Sequence, residues 1–158
     1  MNNIIIFLDI DGVICIAGYL DRNNPPPRKV FTELNKNCIN ILNKIIELTK
    51  AKIVISSSWR KFFNIHQLRE QFKEAGFIGE ILDTTPILKG LNGGNWTPRG
   101  VEIQTYLDNH PEITNYVIID DEISDMKHLV NKCVETDGIY SNGLEERHIV
   151  NVLNILSI

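Results

Sequence analysis

Ile4-Ile5-Ile6-Phe7-Leu8-Asp9-Ile10-Asp11-Gly12-Val13 is the stretch that sets the fold. Its first five residues are an unbroken β-branched and aromatic run, without the alternation of a strand that has one wet face. Such a run suits a strand covered on both faces, as in a parallel sheet. Three later segments repeat the logic: Lys52-Ile53-Val54-Ile55, Tyr116-Val117-Ile118-Ile119 and Cys133-Val134-Glu135-Thr136. Gly79-Glu80-Ile81-Leu82 is a weaker fifth candidate.

Helical periodicity fills the gaps. Residues 37–49 place Ile39, Leu42, Ile45, Ile46 and Leu48 largely on one face. Residues 64–75 do the same with Ile65, Leu68 and Phe72, and Gly76 is a natural stop. Thr97-Pro98 reads as N-cap and first-turn proline of a helix running to about Asn109. Asn142, with Glu145 three residues on, predicts a capped last helix through Leu156. Strands alternating with helices predict an α/β fold, a doubly wound parallel sheet of about five strands. No internal repeat is visible.

Two stretches break the alternation. Residues 14–32 contain Pro25-Pro26-Pro27, which cannot be regular helix or central strand. Residues 84–98 contain Gly90, Gly93 and Gly94 and read as a mobile loop. Both are expected near strand ends, where α/β proteins bind ligands.

Bulk properties narrow the functional classes. A chain of 158 residues fits one domain, here 1–158. The net charge of −4 excludes a generally basic nucleic-acid binder, though a local basic rim is compatible with it. The run Ile4 to Leu8 is far too short to cross a membrane, and Met1-Asn2-Asn3 lacks the start of a signal peptide. Cys15, Cys38 and Cys133 form no CxxC pair, so buried thiols in a reducing cytoplasm are expected. His66, His110, His128 and His148 lack metal-ligand spacing and are expected at helix surfaces or ends. The glycines from Gly90 to Gly94 do not follow a strand as GxGxxG, which excludes an NAD or FAD site there.

The chemistry gathers at the strand ends. Asp9 and Asp11 point the same way if the backbone stays extended, and Gly12 then turns the chain. Two like charges so close need a shared proton or a cation, and a hard divalent metal fits. The same tetrapeptide can also be a plain acidic turn. A second acidic strand end, Asp120-Asp121-Glu122-Ile123-Ser124-Asp125, favours the metal: neighbouring ends of one sheet can together hold six-coordinate Mg²⁺. It is not an EF-hand loop, lacking the glycine and the terminal glutamate. Ser56-Ser57-Ser58-Trp59-Arg60 closes another strand with hydroxyls and N–H groups able to hold phosphate oxygens, or simply to cap a helix. Arg99 and Lys89 are the candidate positive partners.

Acid pair, hydroxyl, cation, acid pair: in that order these pieces resemble the haloacid dehalogenase (HAD) superfamily of phosphohydrolases, over nearly the whole chain. Asp9-Ile10-Asp11-Gly12-Val13 matches its DxDG(T/V) motif and Ile53 to Ser58 its strand ending in Ser or Thr. Thr97-Pro98-Arg99-Gly100 matches its helix-start cation, and Asp120 to Asp125 its (G/D)DxxxD motif. The resemblance implies the HAD fold, Rossmann-like with a minimal cap, 14–32 and 84–98 being small flaps. It also implies an aspartyl-phosphate formed on Asp9, with Asp11 as general acid and then base. Mg²⁺ would be held by Asp9, the backbone carbonyl of Asp11, and Asp121, with Asp120 and Asp125 in support. Ser57, with Ser58 beside it, and Arg99 would meet the phosphoryl oxygens, Lys89 being the rival cation. A carboxylate and a phosphate charge 4 Å apart repel by about 4 kcal/mol at an effective dielectric near 20, which Mg²⁺ plus one cation can offset.

A minimal cap resembles open-site enzymes of large substrates. The segment Ile55 to Arg60, followed by Arg99 to Ile103 and Asp120-Asp121, looks most like the small HAD domains associated with RNA repair. That resemblance implies a phosphatase of nucleotides or polynucleotide ends. A rim of Arg22, Arg28, Lys29, Arg60, Lys61, Lys89 and Arg99, with Trp59 and Trp96, would contact the strand by charge and stacking. Two alternatives remain: a phosphatase of small metabolites or phosphoproteins, and a silent phosphate- or metal-binding regulatory module. The intact Asp9–Asp11 pair disfavours the last. Oligomeric state is not readable.

Overall fold

A computed structural model describes residues 3–18, 33–90, 94 and 96–158. Five strands form one all-parallel sheet among them: β1 (Ile4–Leu8), β2 (Lys52–Ile55), β3 (Ile81–Thr84), β4 (Asn115–Asp120) and β5 (Cys133–Glu135), in the order β3-β2-β1-β4-β5. The helices are α1 (Lys36–Thr49), α2 (Ile65–Glu74), α3 (Arg99–Asn109) and α4 (Glu146–Leu156). Short 3₁₀ turns span Ser58–Lys61 and Lys127–Lys132. This is the doubly wound α/β fold that the strand–helix alternation predicts.

All five residues of β1 are buried, as an unalternating run requires of a strand covered on both faces. Ile4, Ile6 and Leu8 pack with Leu42 and Ile45 of α1, Leu68 and Phe72 of α2, and Val152 of α4. Ile5 and Phe7 pack on the other face with Val54, Ile118 and, from α3, Ile103 and Tyr106. The period of two then aims the next odd-numbered residue, Asp9, to the α3 side, and Asp120 follows Ile118 to the same side. Register makes them neighbours, since Leu8 pairs with Ile119 and Asp9 N–H donates to Ile119 O at 2.9 Å. From β1 the chain runs outward through β2 and β3, then crosses back to β4. The ends of β1 and β4 therefore flank the topological switch point, where open α/β sheets form a crevice.

Several local expectations are corrected. The weak strand lies two residues later, at Ile81–Thr84, where its backbone pairs with Ile53 to Ile55. Pro98, not Thr97, is the N-cap of α3; the Thr97 hydroxyl donates to Leu88 O at 3.0 Å. Glu145, not Asn142, caps α4, and Glu145 N–H donates to His148 Nδ1 at 2.8 Å. His148 lies at a helix end, in the first turn of α4, as expected, but it is fully buried. No disulfide links the cysteines; Cys15 and Cys38 are buried and Cys133 is half-buried. Pro25-Pro26-Pro27 and the cations Arg22, Arg28 and Lys29 lie outside the described residues. Among the described residues no helix is long and apolar enough to cross a membrane.

Candidate active site

Asp9, at the end of β1, is buried, and Asp120, the last residue of β4, has no exposed surface. Asp121 follows, half-buried. One carboxylate oxygen from each of Asp9, Asp120 and Asp121 lies within 4.8 Å of the other two. Such crowding disfavours full ionisation. Burial, and then the Asp9 charge, push Asp120 up to about 7 and Asp121 up to about 6. An all-oxygen set of three close carboxylates on two strand ends suits a hard cation such as Mg²⁺. The residues fit the ion.

Gly12 permits this approach. Its φ is +78°, and a Cβ there would stand 2.2 Å from Asp121 Oδ2. Its carbonyl accepts from the Thr136 hydroxyl at 2.8 Å, which ties the turn after β1 to the end of β5. Only glycine combines that φ with that contact.

Arg99 opens α3 and reaches both acidic strand ends. Nη1 stands 2.9 Å from Asp9 Oδ2 and 2.6 Å from Asp120 Oδ2. Burial alone would lower the guanidinium pKa, but Asp9 and Asp120 overcome it and raise the value. Asp125 holds the start of the same helix: Oδ2 accepts from Arg99 N–H at 2.8 Å, while Oδ1 is buried without a partner among the described residues. Gly100 makes the seat possible, since a Cβ there would meet Asp125 O at 2.7 Å. Lys89, by contrast, is exposed and does not line the cleft.

Asp11 stands apart from the triad. Its Oδ1 accepts from Trp59 Nε1 at 3.1 Å, and the Cys15 thiol also bonds to the carboxyl. Burial raises the Asp11 pKa, the Trp59 bond opposes the rise, and the Asp9 charge adds to it. Ser57 is fully buried, its hydroxyl accepting from Trp59 N–H at 3.2 Å; half-buried Ser58 lines the cleft instead.

Arg60 and Trp59 do not belong to an exposed rim. The Arg60 side chain is 2% exposed and forms an ion pair with Glu102 of α3. Its other donors go to the carbonyls of Ser56, Ser57, Thr85 and Pro86. Glu102 also accepts from Leu88 N–H at 3.1 Å, so the pair ties the end of β2, the strand-to-helix connection and α3 together. Sequence reasoning missed Glu102. Its signal was a charged residue on the inward face of α3, one before the core residue Ile103 and four before the buried Tyr106.

The cleft is open, about 570 Å³, with Asp9, Asp11, Ser58, Arg99, Asp121 and Asp125 on its walls. Lys61 and Trp96 also line it, and both are exposed. Comparison with protein families bears out the family resemblance. The model for the HAD domain in Swiss Army Knife RNA repair proteins matches residues 5–149. The chain belongs to that family. No curated protein and no solved structure matches it significantly. Membership places the chain in the HAD superfamily, whose members are generally hydrolases and generally Mg²⁺-dependent.

Proposed function

We propose that this chain is a Mg²⁺-dependent phosphomonoesterase of nucleotides or polynucleotide ends, working through an aspartyl-phosphate on Asp9. One observation carries the reading: Asp9 and Asp121 on the cleft wall converge with the buried Asp120 behind them, and Arg99 stands against Asp9 and Asp120. The family's association with RNA repair favours a nucleic-acid end over a small metabolite. Lys61 and Trp96 on the same cleft add a cation and an aromatic face for such a strand. The chain acts as one domain in the cytoplasm; of the small flaps expected at 14–32 and 84–98, residues 19–32, 91–93 and 95 lie outside the described residues.

Asp9 attacks phosphorus in line, and the ester P–O bond breaks as the bond to Asp9 forms. Asp11 gives its proton to the leaving oxygen, then takes one from the water that hydrolyses the aspartyl-phosphate. Ser58 on the cleft wall, with Ser57 behind it, and Arg99 balance charge on the phosphoryl oxygens. Asp9, Asp120, Asp121 and the Asp11 carbonyl would hold Mg²⁺. When bound, the ion neutralises the carboxylates and polarises a phosphoryl oxygen.

Turnover of p-nitrophenyl phosphate with Mg²⁺, lost by roughly four orders of magnitude in Asp9→Asn, is expected. A wild type inert with every divalent metal overturns the reading. Initial rates on 5′- and 3′-phosphorylated oligonucleotides, free nucleotides and phosphopeptides then identify the substrate class; preference for phosphopeptides defeats the nucleic-acid assignment.

A further inference from the structure

The geometry points to Trp59 as a positioning residue that aims Asp11 at the leaving oxygen, a role that rests on Asp9 being the nucleophile and Asp11 the acid. Asp11 sits on a turn, half-buried, beside the negative charge of Asp9. Nothing in its own backbone tells its carboxyl which way to face. The Trp59 indole N–H supplies that instruction, because it can only donate and it donates to Oδ1 at 3.1 Å. The bond holds Oδ1 on the Trp59 side of the carboxyl, and the Cys15 thiol, which also bonds to Asp11, holds the group as well. As the ester P–O bond breaks, the Asp11 proton moves to the departing oxygen and Asp11 is left as a carboxylate. The Trp59 N–H stays on the indole throughout and stabilises the charge that remains.

The donor is held rigidly. Trp59 is 7% exposed, its ring lies 5.7 Å from that of Phe63, and its backbone N–H is bound by the Ser57 hydroxyl at 3.2 Å. Its carbonyl accepts from Phe62 and Phe63 N–H at 3.0 and 2.9 Å, closing the 3₁₀ turn. Asp11 is tied from the other side by its backbone bridge to Cys15. Trp59 thereby couples the turn after β2 to the turn after β1. Misplacement of a reacting group by about 1 Å can cost roughly 100-fold in rate.

The test compares leaving groups. p-Nitrophenyl phosphate and p-nitrobenzyl phosphate are nearly equal in size and charge, but only the benzyl alkoxide needs strong protonation as it leaves. Both are assayed with saturating Mg²⁺ at one pH. Trp59→Phe is expected to lose on the order of 10- to 100-fold in kcat on the benzyl ester and less than about threefold on the aryl ester. The retained aryl activity reports an intact fold and nucleophile. Replacing Trp59 alone with benzothienylalanine, which keeps the ring shape and lacks the N–H, is expected to reproduce the split. Equal losses on both esters in a folded variant overturn the role of Trp59 and leave the phosphatase reading standing. Full benzyl-ester activity in the benzothienyl variant overturns it as well. A wild type without turnover on either ester overturns the phosphatase reading itself.

Discussion

Arg60 and Arg99 line the same cleft and each is ion-paired to carboxylate, but their surroundings differ. The Arg60 side chain is 2% exposed and its guanidinium bonds to four backbone carbonyls as well as Glu102. The Arg99 side chain is 23% exposed, and its bonds go to two carboxylates at the strand ends. A guanidinium saturated by backbone acceptors fixes the relation of the elements around it. One that meets only carboxylates at a cleft wall can exchange them for a ligand. Within one α/β crevice, then, the same side chain serves as a strut in one place and as a charge for chemistry in the other.

The largest expected effect belongs to the strut. Arg60→Met strands Glu102 in the interior and takes the guanidinium donor from the carbonyls of Ser56, Thr85 and Pro86, while Ser57 O keeps the residue-60 backbone N–H. Breaking a buried pair in this way costs about 3–5 kcal/mol, read as lost unfolding free energy in urea. Removing Glu102 as well, in Arg60→Met with Glu102→Leu, is expected to recover part of the loss but not all, because the carbonyls remain unserved. An unchanged midpoint in the single variant would break the distinction between the two arginines.

Arg99→Met should act on rate. With Mg²⁺ present, kcat/KM for p-nitrophenyl phosphate is expected to fall about 10²- to 10³-fold, as for removal of one donor to developing charge. Its shift in unfolding midpoint should stay smaller than that of Arg60→Met. If the two variants lose stability alike and activity alike, Arg99 is a second strut.

Most of the fold was legible because burial writes itself into sequence. A strand covered on both faces needs an unbroken apolar run, so β1, β2 and β4 were readable to within a residue or so. The edge strand β3 was misplaced because only one of its four residues is buried and the others carry no such demand. Asp9, Asp120 and Asp121 were readable as strand-end acids, and register then joined them. Partnerships across long sequence gaps were not. Nothing in Ser-Ser-Ser-Trp-Arg tells that its arginine is consumed by Glu102, or that its tryptophan binds Asp11 48 residues away. Basic and aromatic residues look alike in sequence whether they face solvent or the interior.

The contrast also sharpens with pH. Asp120, pushed up to about 7, and Asp121, up to about 6, both lie above the ordinary carboxylate value of roughly 3.9 that applies to the unfolded chain. Burial first and the Asp9 charge second favour their neutral forms in the folded state. Their stabilising contribution is therefore complete below about pH 4 and is lost as pH rises through 6 to 7. Without metal, Asp120→Asn should gain stability relative to wild type between pH 5 and pH 8. Mg²⁺ should stabilise wild type more at pH 8 than at pH 5, where protons compete; at about 100 times its Kd the gain is about 2.7 kcal/mol. The Arg60→Met loss should not vary over that range. Thermal melts with and without EDTA decide this, and a Mg²⁺ gain equal at both pH values counts against the carboxylate triad as its site.

Lys89 gives the smallest expected effect and the cleanest control. Sequence alone made it a rival to Arg99, because both are single cations in or beside the segment that precedes α3. In the fold they part. Arg99 occupies the first turn of a helix whose start is pinned by Asp125, whereas Lys89 is exposed and off the cleft walls. A cation that must meet a phosphoryl group has to be held, since an exposed lysine gives up side-chain freedom for each such contact. Lys89→Ala should therefore leave kcat/KM for p-nitrophenyl phosphate within about twofold and stability within about 0.5 kcal/mol. A loss as large as that of Arg99→Met would mean that Lys89 meets the phosphoryl group once substrate binds, and that the helix start alone does not supply the phosphate-binding cation.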